Sequence, residues 1–213
     1  MGRHESENKR DSSLYLFTKR LVDILAVSVF LVVIAIPVMV VAAIAIFIET
    51  PGPVVYRQQR VGKGGKRFTF YKLRSMHLNA DQVLERLRHQ SDADGVAFKM
   101  KRDPRVTSVG RVLRKYSIDE LPQLFSILMG HMSIVGPRPH LPSEVACYRP
   151  DQRLRLTVKP GLLCYREIRG RSDLTFEEWV RLDLEYIRER SAWTDTKIFF
   201  LAFPAVLGAR GAY

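Results

Sequence analysis

With 213 residues and 34 Lys and Arg against 22 Asp and Glu, a net charge of +12, the chain is long enough for one cored domain, alone or with an anchor. That charge excludes a cationic partner and leaves nucleic acid, an anionic membrane surface or a phosphorylated substrate. Cys147 and Cys164 show no metal-ligand spacing, so reduced buried thiols in a cytosolic setting are expected.

Residues 1–17 are expected to be a disordered N-terminus, because the first thirteen are polar, mixed in charge and without apolar periodicity. No cleavable signal peptide is expected, since the apolar stretch starts well inside the chain and is too long for one. A membrane helix is expected over 18–48 and a globular domain over 49–213. Ile24 to Ile48 is 25 residues without a charge, enough to cross a hydrocarbon core of about 30 Å. Two features oppose a crossing. Pro37 near the midpoint denies the Val33 carbonyl its usual partner. Lys9, Arg10, Lys19 and Arg20 before the segment balance Arg57, Arg60, Lys63, Lys66 and Arg67 after it, so the flanks give no orientation by the positive-inside rule. A helix that enters one leaflet, breaks at Pro37 and returns satisfies both; a spanning helix is the alternative.

Pro51 to Pro53 ends any helix. Val54 to Gln58 and Arg67 to Lys72 are β-prone runs joined by V-G-K-G-G-K, a hairpin whose glycines lack the order of a phosphate loop. Phe68, Phe70 and Lys72 share one face by parity, and Lys72 alone reads as a solvated cation. Ala80 to Gln90 places Ala80, Val83, Leu84 and Leu87 at helical spacing, an amphipathic helix. Asp92 and Asp94 read as part of an Asp/Gly turn rather than a metal-holding Asp-x-Asp pair, because no β-rich run leads into them. The basic run Phe98 to Lys115 reads as a solvated face or a surface on anionic headgroups. It lacks the interleaved aromatics that nucleic-acid binding would want.

The stretch Tyr116 to Pro139, YSIDELPQLFSILMGHMSIVGPRP, carries the chemistry. Ser117 and Glu120 have capping-box spacing, whereas Pro122 sits better if Asp119 is the cap; either way Asp119 and Glu120 lie at the positive end of a helix. They could simply complement its dipole. They could also be a nucleophile that forms an acyl phosphate and a neighbour that holds magnesium. Arg138, fixed between two prolines, has the fork to grip a phosphate. His131 and His140 flank it without a metal pattern and are expected to be structural. Thr175 and Glu178 form a capping box before a helix through Trp179, Leu182 and Tyr186, in which Asp183 is given a structural role. Ile198 to Leu207, interrupted by Pro204 and introduced by Trp193, is too short to span and reads as an interfacial helix.

S-I-D-E-L-P-Q-L and G-H-M-S-I-V-G-P-R-P, with F-x-x-Y-K-L-R-S-M at Phe68 to Met76, D-P-R-V-T-S-V-G-R-V-L-R-K at Asp103 to Lys115, K-P-G at Lys159 to Gly161 and G-R at Gly170 and Arg171, strongly resemble the bacterial sugar transferase family. These are small monotopic phosphoglycosyl transferases. The resemblance implies an α-rich α/β monotopic membrane protein: a re-entrant helix broken at Pro37, then a small catalytic domain with a short β-hairpin and interfacial amphipathic helices. It implies transfer of a sugar-1-phosphate from a UDP-sugar to undecaprenyl phosphate at the cytoplasmic face of the bacterial inner membrane, releasing UMP, as the first membrane step of polysaccharide or glycoconjugate synthesis. Asp119 would be the nucleophile and Glu120 the Mg²⁺ ligand. Lys72, Arg138 and Arg171 would hold phosphate or nucleotide.

Departures from the family's pattern are Ile36 where many members have Ser before the proline, His131 for Asp, Leu163 and Cys164 for Thr-Gly, and Glu167 for Gln. They argue against copying a sugar from a relative, and neither the pathway nor the oligomeric state is legible. Anionic inner-leaflet lipids are expected partners and nucleic acid is not. The rival class is a membrane-anchored basic scaffold binding anionic lipid or nucleic acid; a direct-displacement transferase is the weaker enzymatic rival.

Overall fold

A computed structural model describes residues 12–87, 100, 103–170 and 174–207; Asp92, Asp94 and Arg171 fall outside these. Helix α1 (Ser13–Phe30), a π-helical turn (Leu31–Ala35) and helix α2 (Ile36–Glu49) follow one another without a gap. They form a 37-residue rod, about 55 Å long at 1.5 Å per residue. Two expectations are corrected here. The Ser12 hydroxyl accepts the Tyr15 N–H, so the helix opens at Ser13 and residues 13–17 are helical rather than disordered. The helix also continues through Pro37. The wide turn just before it, in which the Ile36 N–H reaches the Leu31 carbonyl, is where the ladder absorbs the proline's missing donor.

Only a narrow strip of this rod is buried: Asp23, Val27, Leu31, Ala35, Ala42 and Ile46, mostly four residues apart. Its upstream half packs on Phe68, Phe70, Leu124, Ile127 and Met132, and its downstream half on Leu73 and Leu113. The globular part therefore lies alongside the rod rather than beyond one end. Val27, Leu31 and Ile46, at about 1.5–3 kcal/mol each, outweigh any single cap in holding it there. The opposite face is apolar and open, with Val29, Val33, Val41 and Ile48 each 65–75% exposed, the surface a membrane would cover.

Strand β1 (Val55–Val61) pairs antiparallel with β2 (Arg67–Leu73), from Val55 opposite Leu73 to Val61 opposite Arg67; this is the expected hairpin, with β1 running on past Gln58 to Val61. Helix α3 (Ala80–Leu87) is amphipathic as expected, and α4 (Ser108–Lys115) follows the undescribed stretch. Helix α4 lies backbone to backbone on the residues after β2: a Cβ on Gly110 would come within 2.0 Å of the Ser75 carbonyl oxygen. Its N-terminus is closed by Thr107 and by the Glu49 carboxylate, which accepts the Ser108 and Val109 amides at 2.7 and 3.0 Å. Since that carboxylate ties the end of α2 to the start of α4, Glu49→Ala is expected to cost about 0.5–1 kcal/mol. Thermal denaturation in nanodiscs should show a melting temperature lower by roughly 1–4 °C. An unchanged value would mean that water caps α4 equally well.

Helix α5 (Gln123–Leu128) leads to β3 (Ser133–Val135), which pairs in parallel with β4 (Gly161–Leu163). The crossing after β3 is tight. A Cβ on Gly161 would sit 2.0 Å from the Gly136 nitrogen, and the Gly161 N–H donates to the Pro137 carbonyl at 2.9 Å. K-P-G thus fixes the path of the P-R-P loop. Helices α6 (Pro142–Ala146), α7 (Tyr165–Arg169), α8 (Phe176–Glu189) and α9 (Ala192–Leu207) complete the α-rich α/β domain. The Thr175–Glu178 capping box is present at the start of α8. Helix α9 runs through Pro204, buries Ile198 and Ala202, and leaves Trp193 and Phe200 76% and 67% exposed. Its first turn is tied to α1 through Asp195, which accepts from Tyr15, Lys19 and Tyr186.

Candidate active site

The acidic pair sits between two helices, and the local geometry differs from the expected cap. Ser117 adopts a left-handed conformation at φ 55° and its N–H donates to the Arg114 carbonyl, so it terminates α4 instead of opening α5. Its side chain makes no capping bond, and Pro122 occupies the cap position of α5. Asp119 and Glu120 lie in a 3₁₀ turn (Ile118–Glu120), one turn ahead of α5.

Lys72 reaches this turn from β2, where parity with Phe70 points it inward. Its Nζ lies 3.4 Å from Asp119 Oδ2 and 2.7 Å from Glu120 Oε1. Arg138 arrives from the loop after β3, held by its two prolines. Nη1 donates to Glu120 Oε2 at 3.1 Å and Nη2 to Oε1, a bidentate fork. Glu167 of α7 stands 3.8 Å from the same Arg138 Nη1. Asp119, Lys72, Glu120, Arg138 and Glu167 thus form a row of alternating charge. Of the residues expected to act together, Lys72, Asp119, Glu120 and Arg138 converge; Arg171 is outside the described residues.

The two carboxyls are pushed in opposite directions. Burial lifts Asp119, 4% exposed, above the ordinary aspartate range, against the pull of Lys72 and with a further push from Glu120. Burial would lift Glu120 too, but Arg138 and Lys72 overcome it and hold that carboxyl well below its usual range. Glu120 is therefore the fixed anion and Asp119 the one whose charge is less well compensated.

Several residues that sequence reasoning did not single out surround the pair. Arg114 belongs to the basic run expected to be a solvated face or a surface on anionic headgroups. It instead turns inward, with Nε on Ser75 Oγ at 2.9 Å and its charge felt at Asp119. Arg105 of the same run is buried against Asp103. Arg60 donates to the Pro139 carbonyl at 3.1 Å and lies over the Phe70 ring; burial and the nearby Arg138 pull it down to about 10. Arg166 stacks 4.6 Å over Trp179. Beneath the P-R-P loop, Arg155 is buried with Asp183, Tyr148 and the ring of His140. Burial and Arg155 hold His140 well below the ordinary histidine range. His131 lies against Phe68, its ring centroid 5.7 Å away. No signal marks Arg60 or Arg155 in the sequence; Arg114 carried one only as part of its motif.

An α-rich domain lies beside a helix long and apolar enough to cross a membrane, and is built around a buried Asp-Glu pair clasped by lysine and arginine. The chain belongs to the bacterial sugar transferase family, whose family model matches residues 14–209. It is 40% identical over 93% of its length to a protein of Streptococcus agalactiae named galactosyl transferase CpsE, and covers 44% of that protein. It is 40% identical over 92% of its length to the undecaprenyl-phosphate galactose phosphotransferase of Salmonella typhimurium, covering 42% of it. The exopolysaccharide production protein ExoY of Rhizobium meliloti is 39% identical over 92% of this chain, which covers 88% of that protein. The chain thus spans less than half of the first two relatives and most of the third.

Proposed function

We propose that the chain is an enzyme that transfers a sugar-1-phosphate from a UDP-sugar to undecaprenyl phosphate in polysaccharide or glycoconjugate synthesis. The observation that carries this reading is the convergence of a buried Asp119, with Lys72 Nζ at 3.4 Å, on a Glu120 held by Lys72 at 2.7 Å and by the Arg138 fork. The relatives' names, which speak of undecaprenyl phosphate and galactose or exopolysaccharide, support the substrate class.

An Asp119 oxygen attacks the β-phosphorus of the donor, the bond to the α-phosphate oxygen breaks, and UMP leaves with that electron pair. An oxygen of the lipid phosphate then attacks the same phosphorus and returns the carboxylate to Asp119. Lys72 and Arg138, together with Arg114, lie where a diphosphate beside Asp119 would need positive charge. Arg171 keeps its proposed role in phosphate or uridine contact. Mg²⁺ would find few protein ligands here, since no group of three or more His, Cys, Asp or Glu converges among the described residues, and would depend on substrate phosphate oxygens. Glu120 accepts three donor contacts from Lys72 and Arg138, and a carboxylate offers about four lone-pair directions. Glu120 would therefore hold the ion, which when bound would neutralise phosphate oxygens.

Both membrane-facing elements support a seat on one leaflet. Because the domain packs along the rod from Val27 to Ile46, a helix crossing upright would carry the charged site into hydrocarbon. A rod lying steeply tilted in one leaflet, joined by the exposed aromatics of α9 as an interfacial helix, avoids this and leaves the site on the cytoplasmic face of the inner membrane. The test is UMP release in nanodiscs from a panel of UDP-sugars with Mg²⁺, with and without polyprenol phosphate. Acceptor-dependent turnover, with a single-turnover burst when acceptor is omitted, is the expected result. Initial-rate lines that converge in double-reciprocal plots would oppose the two-step route.

A further inference from the structure

Helix α5 gives way at Gly130, whose φ of 83° turns the chain toward β3 at the opposite end of α5 from Asp119 and Glu120. Two cations border this turn. A Cβ on Gly130 would lie 3.6 Å from Arg20 Nη2 and 3.7 Å from Lys159 Nζ. Both are held there by the fold. Arg20 donates Nη1 and Nη2 to the Ile127 and Leu128 carbonyls at 2.6 and 2.7 Å, and so closes the end of α5. Lys159 opens the K-P-G segment, whose backbone is fixed by the Gly136–Gly161 contact.

No acid neutralises them at contact distance. Asp23 of α1 gives Oδ1 to the Ile134 N–H at 3.1 Å, and Lys159 Nζ has no hydrogen-bond or ion-pair partner among the described residues. Burial, then Arg20, press the Lys159 ammonium below the ordinary lysine range; Lys63 in the hairpin turn adds to them and Asp23 only partly opposes. Like charges gathered in this way make a local field that favours an anion. The place in the fold says which anion. Arg20 is the last cation before the uncharged stretch that begins at Ile24. Phe17 and Leu21 beside it on α1, and Met129 just before Gly130, are exposed. A cationic centre with an apolar rim, at the end of a membrane helix, suits a lipid headgroup whose acyl chains follow the rim. A free phosphate would leave that rim unused.

We infer that Arg20 and Lys159, with Lys63 beyond them, form a seat for the phosphodiester of a net-anionic phospholipid, distinct from the Asp119–Glu120 site. The inference rests on the proposed seat of the chain on one leaflet and adds to it a fixed lipid contact.

The test holds the chain in nanodiscs of equal parts phosphatidylcholine and phosphatidylglycerol with matched acyl chains, releases it into detergent and counts the retained lipids by native mass spectrometry. Native protein is expected to retain phosphatidylglycerol over phosphatidylcholine, and Lys159→Gln to lower that ratio about fivefold, the weight of one basic residue at an anionic headgroup. Lys159→Arg keeps the charge and should keep the ratio. Lys115→Gln removes the same charge from an exposed position on α4 and should keep it too. No loss in Lys159→Gln, or an equal loss in Lys115→Gln, overturns the inference in favour of the diffuse charge of the whole chain. A native preference abolished by inorganic phosphate at constant ionic strength assigns the cluster to free phosphate and overturns the lipid. Each of these results leaves the leaflet seat and the transferase reading intact. Chains that do not enter the nanodiscs at all overturn the leaflet seat, and the inference with it.

Discussion

Asp119→Asn is expected to reduce UMP release by roughly 10⁴-fold or more, the scale on which enzymes lose rate when a covalent nucleophile is removed. It should do so without loss of fold. Asp119 is buried, and burial raises its carboxyl above the ordinary range despite Lys72. A group whose folded pKa is raised contributes stability that is present below its unfolded value and is lost as pH rises through the folded one. The ionised form of Asp119 is therefore a burden on the fold, and an isosteric amide relieves it. The melting temperature of Asp119→Asn is expected to equal or exceed that of the native protein near neutral pH. The native rate itself should rise with pH through a titration lying above the usual aspartate range, as the nucleophile ionises. Intact mass spectrometry after mixing with donor alone gives the direct check: a phosphosugar adduct on native protein and none on the variant. Turnover retained by Asp119→Asn would favour the scaffold or direct-displacement reading.

Much of this site was legible because it depends on local pattern. Two prolines confined Arg138 and adjacency placed Asp119 beside Glu120, whereas Lys72, on the Phe70 face by parity, read by itself as a solvated cation and became a candidate only through the resemblance. That Lys72 meets a turn 47 residues later came only from resemblance, since nothing local encodes so distant a pairing. The misreadings share that cause. Ser117 has capping-box spacing to Glu120, but α4 claims it as its left-handed terminator, and spacing cannot say which of two helices a boundary residue serves. Arg105 and Arg114 look like their exposed neighbours Arg111 and Lys115. What turns them inward is Asp103 for one and the backbone contact of Gly110 on Ser75, which brings Arg114 to the site, for the other. The uncharged stretch announced a membrane helix and Pro37 a defect in it. Whether a defect becomes a break or a π turn depends on what packs beside it, here Phe68, Phe70 and Met132 against Leu31 and Ala35.

The largest stability effect is expected at a residue that never touches the acidic pair. Arg155 is 4% exposed and pairs with Asp183, which is 1% exposed; Tyr148 and His140 meet its two terminal nitrogens. Removing one partner of such a pair leaves a charge buried without compensation, and Arg155→Met is expected to cost about 3–5 kcal/mol. That corresponds to a fall in melting temperature of roughly 6–20 °C for a chain of this size. The pH dependence identifies the cause. Burial raises the Asp183 carboxyl to about 6 even with Arg155 beside it, so its contribution to native stability is lost as pH rises through that value and then levels off. Without Arg155 the carboxyl should titrate higher still, and the variant should go on losing stability where the native protein has stopped. The gap between the two melting temperatures is thus expected to widen from pH 5 to pH 8; a gap independent of pH would place the loss in packing against Trp179 and Tyr148 instead. Arg155→Met with Asp183→Leu removes both charges and should recover most of the stability. It should not recover all of the activity, because His140 follows Pro139 directly, and without Arg155 the ring that anchors the Arg138 loop has lost the partner that fixes its orientation.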